Sequence, residues 1–117
     1  MTLAEAIRLG AMLRPQGRGG YDDGESACAL RSAAMAVGLV DLTNPTTFLN
    51  YVALRQRFPI LNARVHAPVF GGQILLDAIW RLNDIARWSR EAIADWVEQV
   101  ERAHTPTEQT VTVTVPV

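Results

Sequence analysis

The stretch Ile74–Val100, ILLDAIWRLNDIARWSREAIADWVEQV, constrains the fold more than any other part of the chain, because two strongly periodic segments lie there back to back. On a wheel of about 100° per residue starting at Leu75, the side chains of Leu75, Ala78, Ile79, Leu82, Ile85 and Ala86 share one arc, with Asp77 and Asp84 opposite. A second wheel from Ile93 gathers Ile93, Trp96, Val97, Val100 and Ala103 on one side and Glu91, Asp95, Glu98 and Arg102 on the other. Arg87-Trp88-Ser89 between them has room only for a corner, with Ser89 as an N-cap and Glu91 in the positive first turn of the next helix. The spacing predicts a helical hairpin or corner, with Ile74–Ala86 as the most buried helix. Asp77 with Arg81, and Glu98 with Arg102, are placed as i,i+4 ion pairs.

The chain before this stretch reads as further helices. Thr2 and Glu5 form a capping-box pattern, and Leu3, Ala6, Ile7, Gly10, Ala11 and Leu13 share a face, predicting a helix over residues 3–13. Gly10 on that face costs about 1 kcal/mol of helix propensity relative to Ala, which close approach of another helix would explain. Arg14–Gly24, with one Pro and four Gly, breaks the helix and forms the main loop. Glu25–Val37 is a second helix, thin because of its alanines, with Gly38 as a left-handed terminator. Asn44-Pro45 signals a third helix over 45–57 that buries Phe48, Tyr51, Val52 and Phe58. Arg55 there either stacks over Tyr51 or lies solvated along its neighbours. Residues 59–72, with two prolines and Gly71-Gly72, read as an ordered, partly extended connection. After Ala103 the chain alternates Val and Thr from Val111, either as a disordered tail or as a strand given to another molecule. The expected fold is all-α: a compact bundle of four to five helices over residues 1–104, with an extended or disordered tail over 105–117.

Length and charge bound the function classes. At 117 residues one core can form without metal or disulfides. A net charge of −1 gives no general attraction to polyanions or anionic lipid, and every basic residue is Arg. Residues 1–72 hold seven Arg against five acids and residues 73–117 four against seven, so neither half is strongly charged. Cys28 is the single cysteine, which excludes an intrachain disulfide and fits a reducing cytoplasm. There is no run of 18 apolar residues and no export signal, so no membrane association is expected.

The chemistry-bearing motifs are thin. The loop at 14–24 offers the guanidinium groups of Arg14 and Arg18 among glycines, but it lacks the Lys-Ser/Thr of a phosphate loop and follows a helix rather than a strand. Asp22, Asp23 and Glu25 lack the spacing of a calcium loop, and His66 and His104 are too isolated for a metal site. Ser, Cys and His occur without a triad pattern. No catalytic residue, cofactor, metal or small-molecule ligand is therefore expected. A helix, a corner and SREAIADWV resemble half of a helix-turn-helix, but Glu91, Asp95, Glu98 and Glu101 are the wrong charge for a major groove, which argues against nucleic acid.

Glu5–Gln16 (EAIRLGAMLRPQ), Cys28-Ala-Leu, Leu82-Asn-Asp and Trp88–Val97 together resemble a group of small proteins of bacterial and prophage genomes, without residues 39–72 taking part. The resemblance implies a phage or mobile-element origin and no mechanism. What remains is a non-enzymatic structural or protein-interaction module, with a helix-turn-helix-like regulator as the alternative. Its partner is another protein or a second copy. Leu9, Met12 and Trp80, which lie off the core arcs, are candidate contact residues, with Arg14 and Arg18 in the loop and Val111, Val113 and Val115 in the tail.

Overall fold

Helix α1, Leu3–Ala11, is fastened at its start by side chains that take up every backbone N–H left without a partner there. Glu5 Oε1 accepts from Thr2 N at 2.8 Å and Thr2 Oγ1 from Glu5 N at 3.1 Å, completing the expected capping box. Leu3 N and Ala4 N donate to the carboxylate of Glu101, 2.8 and 3.0 Å away, from the far end of the chain. The computed structural model describes residues 1–13, 28–40 and 50–104. The remaining described elements are α2 (Ala29–Ala36), α3 (Tyr51–Arg57), a 3-10 turn (Pro59–Asn62), strands β1 (Arg64–Ala67) and β2 (Gly71–Ile74), α4 (Leu75–Asp84) and α5 (Arg90–His104).

The two strands correct the all-α expectation: the fold is α+β, mostly helical with a two-stranded antiparallel sheet. Arg64 faces Ile74 and Ala67 faces Gly71 in the register. The stretch read as a partly extended connection is thus a 3-10 turn followed by a hairpin. Four-residue strands are too short for alternation to declare itself. The turn is also disguised, because Val69 holds a left-handed φ of 69° where Gly or Asn would have signalled it. Phe70 N donates to Pro68 O at 2.7 Å, closing a three-residue turn. A lone hairpin is marginal in water, and this one packs on α4.

Helix α2 lies at the centre. Seven of its eight residues, Ala29 to Met35, are buried, against six of ten in α4, so α4 is not the most buried helix as expected. Cys28 is the extended N-cap of α2, and the expected start at Glu25 lies outside the described residues; the thiol Sγ accepts from Arg31 N at 3.4 Å and the buried Asn83 Oδ1 from Ala29 N at 3.3 Å. The helix ends as predicted at Gly38, φ 78°, with Leu39 N donating to Ala34 O and Gly38 N to Met35 O, the paired bonds of a left-handed glycine stop.

Against α2 lies α1, and Gly10 is where they touch. A Cβ built on Gly10 would stand 1.8 Å from the backbone oxygen of Ser32, so only glycine permits the approach, as its place on the apolar face suggested. On its other side α1 runs antiparallel to α5: Leu3 meets Glu101, Arg8 meets Asp95, and Ala11 O accepts from Arg90. The core joins Leu3 and Ile7, the α2 alanines with Leu30, Leu54, Phe58 and Leu61, the α4 leucines with Ile79, and Ile93 and Val97.

The corner before α5 forms as expected, with Ser89 Oγ accepting from Ala92 N at 3.0 Å. Two boundary expectations fail. Helix α1 stops at Ala11, and Leu13 is exposed. Helix α4 stops at Asp84, so Ile85 leaves the core arc and is exposed. Helix α3 begins at Tyr51 under a cap from Asn50 Oδ1 to Ala53 N, and Leu54 and Phe58 face inward while Tyr51 and Val52 face out. The start at Asn44-Pro45, and Phe48, lie outside the described residues.

Candidate interaction surface

The acids that set α5 apart in the sequence face a single cation. Glu91, Asp95 and Glu98 recur at helical spacing along one stripe, and Arg8 of α1 reaches all three: Nη2 to Asp95 at 2.7 Å, Nη1 to Glu98 at 2.7 Å, and Nε to Glu91 at 3.7 Å. The two carboxylate hydrogen bonds raise the Arg8 guanidinium further above its ordinary value. Glu98 also holds Arg102 at 2.8 Å, the i,i+4 pair the sequence suggested. Arg81 instead donates to Gln73 Oε1 at 2.9 Å, and Arg55 to Asn62 Oδ1 at 2.6 Å rather than stacking on Tyr51. Arg90, at the start of α5, is buried and donates to Ser32 Oγ at 3.0 Å and to Ala11 O. The polar stripe of α5 is therefore a seam with α1.

A second polar group gathers where α2 begins and α4 ends. Cys28, Arg31, Asn83 and Asp84 meet there, with Tyr51 from α3 within electrostatic range. Burial pushes the Cys28 thiol above its ordinary value, with the Asp84 charge adding to it, and burial likewise raises the Tyr51 phenol. A raised thiol is a poor nucleophile at neutral pH. Its Sγ serves as a helix cap. Among the described residues no three His, Cys, Asp or Glu are grouped to hold a metal ion, and no helix is long and apolar enough to cross a membrane.

The exposed apolar side chains of α1 form a ridge. Met12 is 82% exposed and Leu9 40%, and Leu13, assigned to the core face by the wheel, joins them at 40% because the helix has already ended. Leu9 and Met12, the C-cap, stand at i and i+3, the spacing that puts side chains side by side, and Leu13 follows Met12 in the turn that closes the helix. Trp80 is 37% exposed on α4, with the Arg81 guanidinium 5.4 Å from its ring centre. Of the candidate contact residues the structure thus joins Leu9 and Met12 on one ridge and places Trp80 on another helix. Arg14, Arg18, Val111, Val113 and Val115 lie outside the described residues. Comparison of the chain with family models, with curated proteins and with solved structures finds no match in any of the three.

Proposed function

We propose that this chain is a non-enzymatic protein-interaction module of phage or mobile-element origin, working in the cytoplasm by contact with another protein chain. The observation that supports it is the Leu9, Met12 and Leu13 ridge, an apolar patch on the side of the domain not used by α2 or α5. An unbranched Met flanked by leucines adapts to an apolar partner surface. The alternative, a helix-turn-helix-like DNA-binding protein, takes its support from the α4–corner–α5 arrangement. Against it, a recognition helix must offer its polar face to phosphates, and that face of α5 is occupied by Arg8 and the start of α1.

Two measurements test the choice. Met12→Asp, at an open position, leaves the thermal midpoint near that of the parent and removes partner capture in a pull-down followed by mass analysis in solution. Equal capture by parent and variant overturns the ridge reading. Salt-dependent fluorescence anisotropy with duplex DNA addresses the alternative: tight binding at physiological salt, strengthened rather than weakened by an intact acidic stripe, would overturn the charge argument.

A further inference from the structure

The hairpin has two outer edges, and its register fixes which backbone groups lie on each. Antiparallel strands alternate between residue pairs that exchange main-chain hydrogen bonds and pairs that exchange none. Leu75 N donates to Ala63 O at 2.9 Å, one step beyond the Arg64–Ile74 pair. The bonded pairs are therefore Val65–Gln73 and Ala67–Gly71, and the unbonded ones Arg64–Ile74 and His66–Gly72. Unbonded residues turn their N–H and C=O away from the partner strand. On β1 those groups belong to Arg64 and His66; on β2 they are the N–H and C=O of Gly72 and the N–H of Ile74, whose carbonyl begins α4.

The two edges are guarded differently. Natural edges are blunted by charge, proline or a bulge. The β1 edge carries Arg64 and runs into Pro68; β2, Gly71-Gly72-Gln73-Ile74, has no charge and no proline. Gly72 is exposed, and a side chain built there would meet nothing within 4 Å. The sheet is also two-sided: Ala67 and Gln73 are buried and Val65 half-buried, while Arg64, His66 and Gly72 face solvent.

The chain supplies a segment of matching pattern. Val111-Thr112-Val113-Thr114-Val115 alternates apolar and hydroxyl side chains without charge, so a strand built from it continues both faces of the hairpin, valines toward the helices and threonines toward water. We infer that the β2 edge of one copy receives Val111–Val115 of a second copy as a third strand. A second copy is favoured over the chain's own tail because α5 rests mainly on α1 while the hairpin rests on α4, so the tail leaves the domain from a helix other than the one that carries the edge. This inference concerns a surface separate from the α1 ridge and stands or falls apart from it.

Full-length variants test it. Ile74 has φ −76° and ψ 151°, values proline adopts, so Ile74→Pro removes the outward N–H without touching a ladder bond; Ile74→Val keeps it. Val113→Pro breaks the donated strand. The parent and Ile74→Val should have the mass of an assembly by light scattering, and Ile74→Pro and Val113→Pro markedly less. Mixing the last two should restore a dimer, since one has an intact tail and the other an intact edge. Gly72 and Ile74 amides should exchange more slowly as parent concentration rises. A monomeric parent with these amides protected at every concentration would show the chain's own tail on the edge and overturn the second-copy assignment. A monomeric parent with both amides exchanging freely, or an assembly that Ile74→Pro leaves intact, would overturn the edge itself.

Discussion

Among the described residues helix α1 packs chiefly on two helices, and it meets them by opposite means. Toward α2 the seam is dry and close: Gly10 lies against the Ser32 backbone, and Ile7 with Ala29, Ala33 and Ala34 of α2 is fully buried. Toward α5 the seam is partly wet and charged, with Arg8 spanning Asp95 and Glu98 and the Glu101 carboxylate holding the first turn. Shape decides the first contact and tolerates no added atom. Charge decides the second, and long side chains can re-form it in several geometries.

If that contrast is right, the largest effect belongs to Gly10→Val. The obstacle is a backbone carbonyl at 1.8 Å, which no rotamer change moves, so α1 must leave α2. A loss above about 4 kcal/mol is expected in urea unfolding, enough to unfold a marginal domain. A loss under about 1 kcal/mol would mean that the two helices do not cross here. Ile7→Ala comes next: it removes a fully buried side chain from the same seam without forcing the helices apart, at about 3 kcal/mol.

The charged seam should respond less and depend on salt. Arg8→Met keeps the length of the side chain but leaves Asp95 and Glu98 to water, and since all three groups are partly exposed the loss should be about 1 kcal/mol. The difference between parent and variant should shrink in about 1 M salt, where screening acts within a few ångströms. If Arg8→Met costs as much as Ile7→Ala and salt leaves it unchanged, the two seams are not different in kind.

The same contrast explains what the sequence disclosed. Local signals were legible: Thr2 with Glu5, Ser89, Gly38, and the small residue in the apolar face of α1 all act over a few positions, and the structure uses each as read. The charged seam was not, because Arg8 and its partners are 83 to 90 residues apart and only the antiparallel docking of α1 on α5 brings them together. Asn83 as the cap of α2 was hidden for the same reason, its partner being 54 residues away. The hairpin escaped because its strands are short and its turn carries Val69 where a left-handed residue is rarely valine. The ridge was two-thirds visible: Leu9 and Met12 fall off the arc, but Leu13 joins them only because α1 ends two residues early.

The smallest expected effect sits at the exposed start of α1, and pH reads it. Glu5 is held below its ordinary value near 4.5, chiefly because its carboxylate accepts the Thr2 backbone N–H, then through the Thr2 side chain. A carboxylate depressed in the folded state stabilises the fold where it is ionised in both states, above the unfolded value. That contribution fades as pH falls from 4.5 toward the lower folded value and is gone below it. Glu5→Gln removes the titration and keeps an amide oxygen that can still accept from Thr2, so parent and variant should differ by a constant amount near neutrality and converge under acid. Thermal midpoints of both proteins between about pH 3 and 7 give the comparison, since a single carboxyl imposes a slope only where its two states bind different numbers of protons. A gap that widens on acidification would mean the carboxylate is not the acceptor holding Thr2. A gap of one size at every pH would place the effect in the amide substitution and leave the capping box uncharged.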